Sequence, residues 1–193
     1  MLENYKKHVA KRAEQNIPPL PLDADQTSEL VELLKKDHKE SDFLLNLLKE
    51  RVPAGVDQAA YVKAAFLADI TTDKASSPYI TKIDAVKILG TMLGGYNIQP
   101  LIECLKDNEL AETATHVLSR TLLIFDAFNE IFELSKTNEH AKKVVEEWAN
   151  ATWFTEKTDI EEQIKLTVYK VTGEINTDDL SPAPDAWSRP DIP

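Results

Sequence analysis

The chain has 193 residues, 42% of them hydrophobic, enough for an ordinary core and too many for a wholly disordered polypeptide. Lys and Arg number 22 against 33 Asp and Glu, and a net charge of -11 repels phosphate backbones, so general nucleic-acid binding would need a local basic patch. The single cysteine, Cys104, excludes an internal disulfide and the usual thiolate sets of zinc sites and iron–sulfur clusters.

The chain opens MLENYKKHVAKRAEQ, where Lys6, Lys7, Lys11 and Arg12 face Glu3 and Glu14. This small basic stretch reads as one solvated helix face. It has no apolar signal core, and no window approaches a membrane span, so the protein is expected in the cytoplasm. Helical periodicity then dominates roughly the first 150 residues. In DADQTSELVELLKK, Asp23 and Gln26 form a capping-box pattern ahead of Leu30, Val31, Leu33 and Leu34. SDFLLNLLKERV places Phe43, Leu44, Leu47 and Leu48 on one face, and Pro53 and Gly55 end it.

Asp57 is placed to cap DQAAYVKAAFLADI, which presents Tyr61, Ala65 and Phe66, with Ile70 one turn on. TKIDAVKILGTML begins with the pair Thr81 and Asp84 and is expected to stop at Gly94-Gly95. Pro100 suits the first turn of a helix through Leu105, and Cys104 on that helix is expected to be buried. NELAETATHVLSRTLLIF, DAFNEIFELSKT and EHAKKVVEEWANATWF follow. The pattern predicts about eight or nine helices of roughly ten to sixteen residues. Short turns make neighbours antiparallel, and without a strict period the expected product is an irregular, HEAT-like stack of helical hairpins.

Near Thr155 the pattern changes. TEKTDIEEQ reads as a linker, and in IKLTVYKVTGE the residues Ile164, Leu166, Val168 and Val171 alternate with polar ones, which predicts a strand. The expected organisation is a helical domain over 1–160 and the start of another domain over 161–193.

Chemistry is sparse over 1–160. His8, His38, His116 and His140 fall on separate helices and lack the spacing of a helical metal pair. GGYN at 94–97 has no strand before it, so a helix stop is the better reading than a phosphate loop. The tail, INTDDLSPAPDAWSRPDIP, differs. Asn176, Asp178 and Asp179 favour Asx-turns, and Pro182, Pro184, Pro190 and Pro193 restrict the backbone. Arg189 offers a planar fork of donors that suits a carboxylate. A rigid loop for a small polyanionic acid and a plain proline-rich linker both fit these residues.

Thr177, Asp178, Ser181, Pro182 and Ala183 stand in the order of the Thr-Asp-x-x-Ser-Pro-Ala segment that opens the swivel domain of aconitases. This tail, its continuation PDAWSRPDIP, and the long stretch from MLENYKKHVAKRA through LGTMLGGYNIQPLI resemble the bacterial aconitate hydratase B family over essentially the entire chain. The resemblance implies a HEAT-like domain followed by the first strand and loop of an α/β swivel domain, as an N-terminal piece of a larger enzyme. It implies a lyase that interconverts citrate and isocitrate through cis-aconitate with a 4Fe–4S cluster as Lewis acid. Arg189 falls on the family's substrate-contacting arginine, while the cluster cysteines, the Ser-Ser-Arg motif and the catalytic serine belong to segments absent here.

The resemblance also links the helical domain to homodimer pairing and regulatory contacts, and the iron-free parent to mRNA. The acidic balance argues against this segment as the main RNA contact. Two plainer readings stand beside these expectations. The chain fits a free-standing helical adaptor, and Arg189 fits a loop-pinning partner of Asp185 or Asp191.

Overall fold

The computed structural model describes residues 1–121, 124, 127–156, 162–168, 170, 172–174 and 176. The helices are α1 (Leu2–Ala13), α2 (Ala24–Leu34), α3 (Ser41–Asn46), α4 (Gln58–Thr71) and α5 (Lys82–Leu89), followed by α6 (Ile98–Cys104), α7 (Ala111–Leu118), α8 (Ala127–Leu134), α9 (Glu139–Ala149) and α10 (Thr152–Thr155). A π-helical turn, Leu47–Arg51, continues α3. The protein is mainly α. The described residues hold ten α-helices rather than eight or nine; α1, α2, α4 and α9 have the expected length of 11–14 residues, and the other six are shorter.

Capping explains where three of them start. The Asp23 carboxylate accepts from the Gln26 N–H at 2.8 Å, and the Gln26 side chain accepts from the Asp23 N–H at 3.1 Å. Thr81 and Asp84 repeat the exchange at 3.1 Å each way. Hydrogen bonds from the Thr81 side chain and backbone hold the Asp84 carboxyl below its ordinary range. Asp57 accepts from the Ala59 N–H at 2.7 Å. Each device satisfies an N–H that the helix itself leaves without a partner. Pro100 does sit in the first turn of α6.

The expected stop at Gly94-Gly95 is corrected. α5 ends at Leu89, with Gly90 as its C-cap. A side chain at Gly90 would meet the Val117 methyls, so glycine allows the close approach of α5 to α7. The buried Asn97 then donates its amide to the carbonyls of Leu89, at 2.8 Å, and Met92, at 3.1 Å. Gly94 lies against the backbone of Gly55, and Gly95 takes a positive φ of 88°. The GGYN segment therefore closes the turn after the helix. A second correction concerns EHAKKVVEEWANATWF, which is broken into α9 and α10 by Ala151 in the left-handed region at φ 52°.

The helices pack in sequence, α2 on α4, α4 on α5, α5 on α7 and α7 on α9, with α6 beside α7 and with α8 and α10 closing on α9. Leu30, Leu34, Leu67, Leu89, Leu101 and Leu118 lie along this row with essentially no exposure, which makes one continuous core. α1 is tied across one end: the Tyr5 hydroxyl donates to the Leu20 carbonyl at 3.1 Å, and the Met1 amino group pairs with Glu29 at 2.9 Å. Tyr61 and Ala65, expected on the packed face of α4, are exposed. Phe66 and Ile70 are buried as expected, and Ala59, Ala60, Lys63, Ala64, Leu67 and Thr71 are buried with them.

The strand expected over 164–171 is not seen in the described residues of that segment. Ile164, Leu166 and Val168 are 63%, 75% and 86% exposed. The one antiparallel bridge among the described residues is Ser77 with Ile80. A strand needs a partner for its backbone N–H and C=O groups, and the helical row offers no sheet edge for pairing.

Candidate functional site

Arg189, the residue expected to meet substrate, lies outside the described residues, as do Thr177, Asp178, Ser181, Pro182 and Ala183. His8, His116 and His140 lie on α1, α7 and α9, whereas His38, expected on a helix, lies in the loop between α2 and α3. His8 Nε2 accepts from the Leu20 N–H at 2.9 Å, and His38 Nδ1 accepts from the Glu40 N–H at 3.1 Å. Burial, and then the nearby cations Arg12 and Arg51, push the His8 pKa down. His116 and His140 are exposed. Among the described residues no group of three His, Cys, Asp or Glu side chains is arranged to hold a metal ion. No helix among them is long and apolar enough to cross a membrane.

Among the described residues, clefts open between helices in two places that matter here. The first, of about 550 Å³, lies where the end of α4 meets α6. Cys104 and Thr71 are buried along it, and Asp69, Asp73, Lys82 and Asp107 also line it. Lys82 is ion-paired with Asp73, a hydrogen bond that raises its pKa. Burial pushes the Cys104 thiol up, so little thiolate forms near neutral pH and the residue behaves as a small core group. A 4Fe–4S cluster calls for several thiolates. One buried cysteine does not fit it.

The second cleft, of about 450 Å³, lies between the π-helical turn and the helices α4 and α5. Its inner wall holds Lys63, which is 1% exposed. Burial lowers the pKa of this ammonium from 10.5 to about 8, against an opposing attraction from Glu50. Sequence reasoning passed over Lys63 because lysine usually marks a solvated face. The available signal was local: AAYVKAAF is apolar all around the helix, so its single cation had no polar face to occupy.

A third feature is a pair of aromatic clusters on the last helices. Phe128 stacks on Phe132 with ring centroids 6.1 Å apart and on Trp148 at 6.0 Å. The Trp148 indole donates to the Leu118 carbonyl at 3.0 Å, which fixes that ring against α7. Trp153 and Phe154 meet edge to face at 5.7 Å on α10. Phe128, Phe132, Trp153 and Phe154 are all substantially exposed. Apolar surface grouped in this way is characteristic of a docking face.

The family model described as aconitate B N-terminal domain matches residues 4–154, and that described as aconitate hydratase 2 N-terminus matches residues 166–193. Aconitate hydratase B of Escherichia coli is 58% identical over 195 residues, covering 100% of this chain and 22% of the relative. Aconitate hydratase B of Synechocystis is 55% identical, and that of Helicobacter pylori 49% identical, each again across 100% of this chain and 23% of its own length. The chain thus spans less than a quarter of the relatives it matches.

Proposed function

The chain belongs to the aconitate hydratase B family, whose N-terminal portion it matches throughout, and on that premise we propose that its parent protein is a cytoplasmic hydro-lyase interconverting citrate and isocitrate through cis-aconitate. The observation that carries this reading is identity of 58% and 55% with relatives of that name over the whole chain, together with separate family matches to the helical body and to the tail. Residues 1–160 then form a HEAT-like domain, and 161–193 supply the first strand and loop of a swivel domain. Two family matches that meet across the 154–166 interval, and a row of helices packed in chain order, support that division.

In this reading the chain contributes no catalytic side chain. The 4Fe–4S cluster supplies Lewis-acid chemistry from cysteines outside the segment. Arg189 holds a substrate carboxylate with its planar, permanently charged fork. The aromatic clusters of α8–α10 dock the remaining domains of the parent, because those helices stand where the chain leaves the helical body and most of each relative lies beyond the matched part. Pairing with a second copy through the helical domain belongs to the same reading. Contact of the iron-free parent with mRNA falls mainly to other domains, given the acidic balance here.

The test is citrate turnover and melting temperature of the full-length enzyme as wild type and as Arg189→Lys. Losing a charge-assisted contact of about 1.5–3 kcal/mol lowers catalytic efficiency roughly ten- to a hundredfold at an unchanged melting temperature. Unchanged turnover in the folded variant removes the substrate role and leaves Arg189 as a loop-pinning residue. Residues 1–193 alone should not hydrate cis-aconitate, and robust turnover by them would overturn the division of labour. A full-length protein without aconitase turnover would favour the helical adaptor.

A further inference from the structure

The lysine in the wall of the second cleft is unusual in what surrounds it. Among the described residues, no hydrogen bond or ion pair reaches the Lys63 ammonium, although the side chain is 1% exposed. Lys49 and Glu50, from the π-helical turn, and Lys87, from α5, stand exposed at the mouth. Among the described residues Glu50 is the one carboxylate lining the cleft, and it attracts Lys63 without coming close enough to pair with it. Three lysines therefore line the cleft beside one glutamate, with Asp84 of α5 within electrostatic reach of Lys49 and Lys87, in a chain whose net charge is -11.

Burying an ammonium without a counter-charge costs several kcal/mol, and an apolar side chain of similar length would fill the same space without that cost. The arrangement is balanced if an anion enters the cleft. The cleft's volume, about 450 Å³, falls in the ~300–1,000 Å³ range of small-molecule sites. A π-helical turn, an uncommon element found often at functional sites, forms one wall and brings Lys49 to the opening. We propose that this cleft binds a small, multiply charged anion bearing phosphate or carboxylate groups, with Lys63 as the buried anchor and Lys49 and Lys87 closing on its outer charges.

Calorimetric titration of the purified 193-residue chain with pyrophosphate and, separately, with citrate tests the assignment, at constant ionic strength and with chloride as control. The expected result is one saturable site for at least one of the two, with the preferred one distinguishing phosphate from carboxylate chemistry. Lys63→Met should weaken that binding by at least about tenfold, and Lys87→Gln by a few-fold. The anion should raise the melting temperature of the wild type and leave that of Lys63→Met unchanged. Absence of saturable binding by both anions overturns the proposal. So does an affinity that neither substitution changes.

Discussion

The helical body and the segment that follows it handle burial in opposite ways. Inside the body, Leu67 and Leu89 are fully covered, and even a lysine, at position 63 of α4, is drawn in. In the following segment Leu166 and Val168, apolar and set in an alternating pattern, remain exposed. A helix satisfies its own backbone hydrogen bonds, so it needs only a groove to lie in, and each neighbour in the row supplies one. A strand exports its hydrogen bonds, and one face of alternating apolar residues has no use until a sheet receives it. Local pattern thus suffices to build the first region. It only prepares the second.

The sharpest test of this contrast is hydrogen exchange at residues 164–168. In the 193-residue chain these amides should exchange without protection, whereas in the full-length parent a paired strand should slow them on the order of a thousandfold, an opening free energy of ~4 kcal/mol. Equal, fast exchange in both would remove the strand. Equal, strong protection in the short chain would show that the segment finds its partners within it.

The next largest effect concerns the lysine. Its folded pKa of about 8 lies below its ordinary 10.5. The folded state therefore gives up this proton first, and between those two values the unfolded state binds more protons. Stability must rise with pH through this window. The penalty for the buried charge is complete below pH 8 and gone above 10.5, and at about 1.4 kcal/mol for each pH unit it amounts to roughly 3.5 kcal/mol. Lys63→Met should therefore be the more stable protein at pH 7 by about that amount. Its advantage should close as the pH approaches 10.5, which denaturant melts of both proteins at several pH values will measure. A constant gap across the series would mean that the ammonium is not desolvated.

The smallest effect lies in the caps that begin the helices. Thr81→Ala removes the acceptor for the Asp84 N–H and the hydroxyl that donates to its carboxylate, while the Thr81 N–H still does so. It should lower stability by ~1 kcal/mol, while leaving the exchange of 164–168 untouched. A change in both would tie the segment to the helical body more closely than the packing indicates.

What the sequence determined by itself follows from interactions within a few residues. The helical class, the capping boxes at Asp23 and Thr81, the burial of Cys104 and the change of pattern near Thr155 rest on side chains that act on their own backbone or recur at a helical period. The family follows from the order of residues. Tertiary structure decided the rest. α5 stops at Gly90 because α7 brings Val117 against it and Asn97 reaches back to its carbonyls. Tyr61 stays outside and Lys63 goes inside because α2 and α5 cover α4 on particular sides, which a pattern apolar in nearly every direction does not specify. The basic cleft joins a lysine of α4, a lysine of the π-helical turn and a lysine of α5. Spacing along the chain carries no sign of that cleft, because its charges meet only when three separate elements pack together.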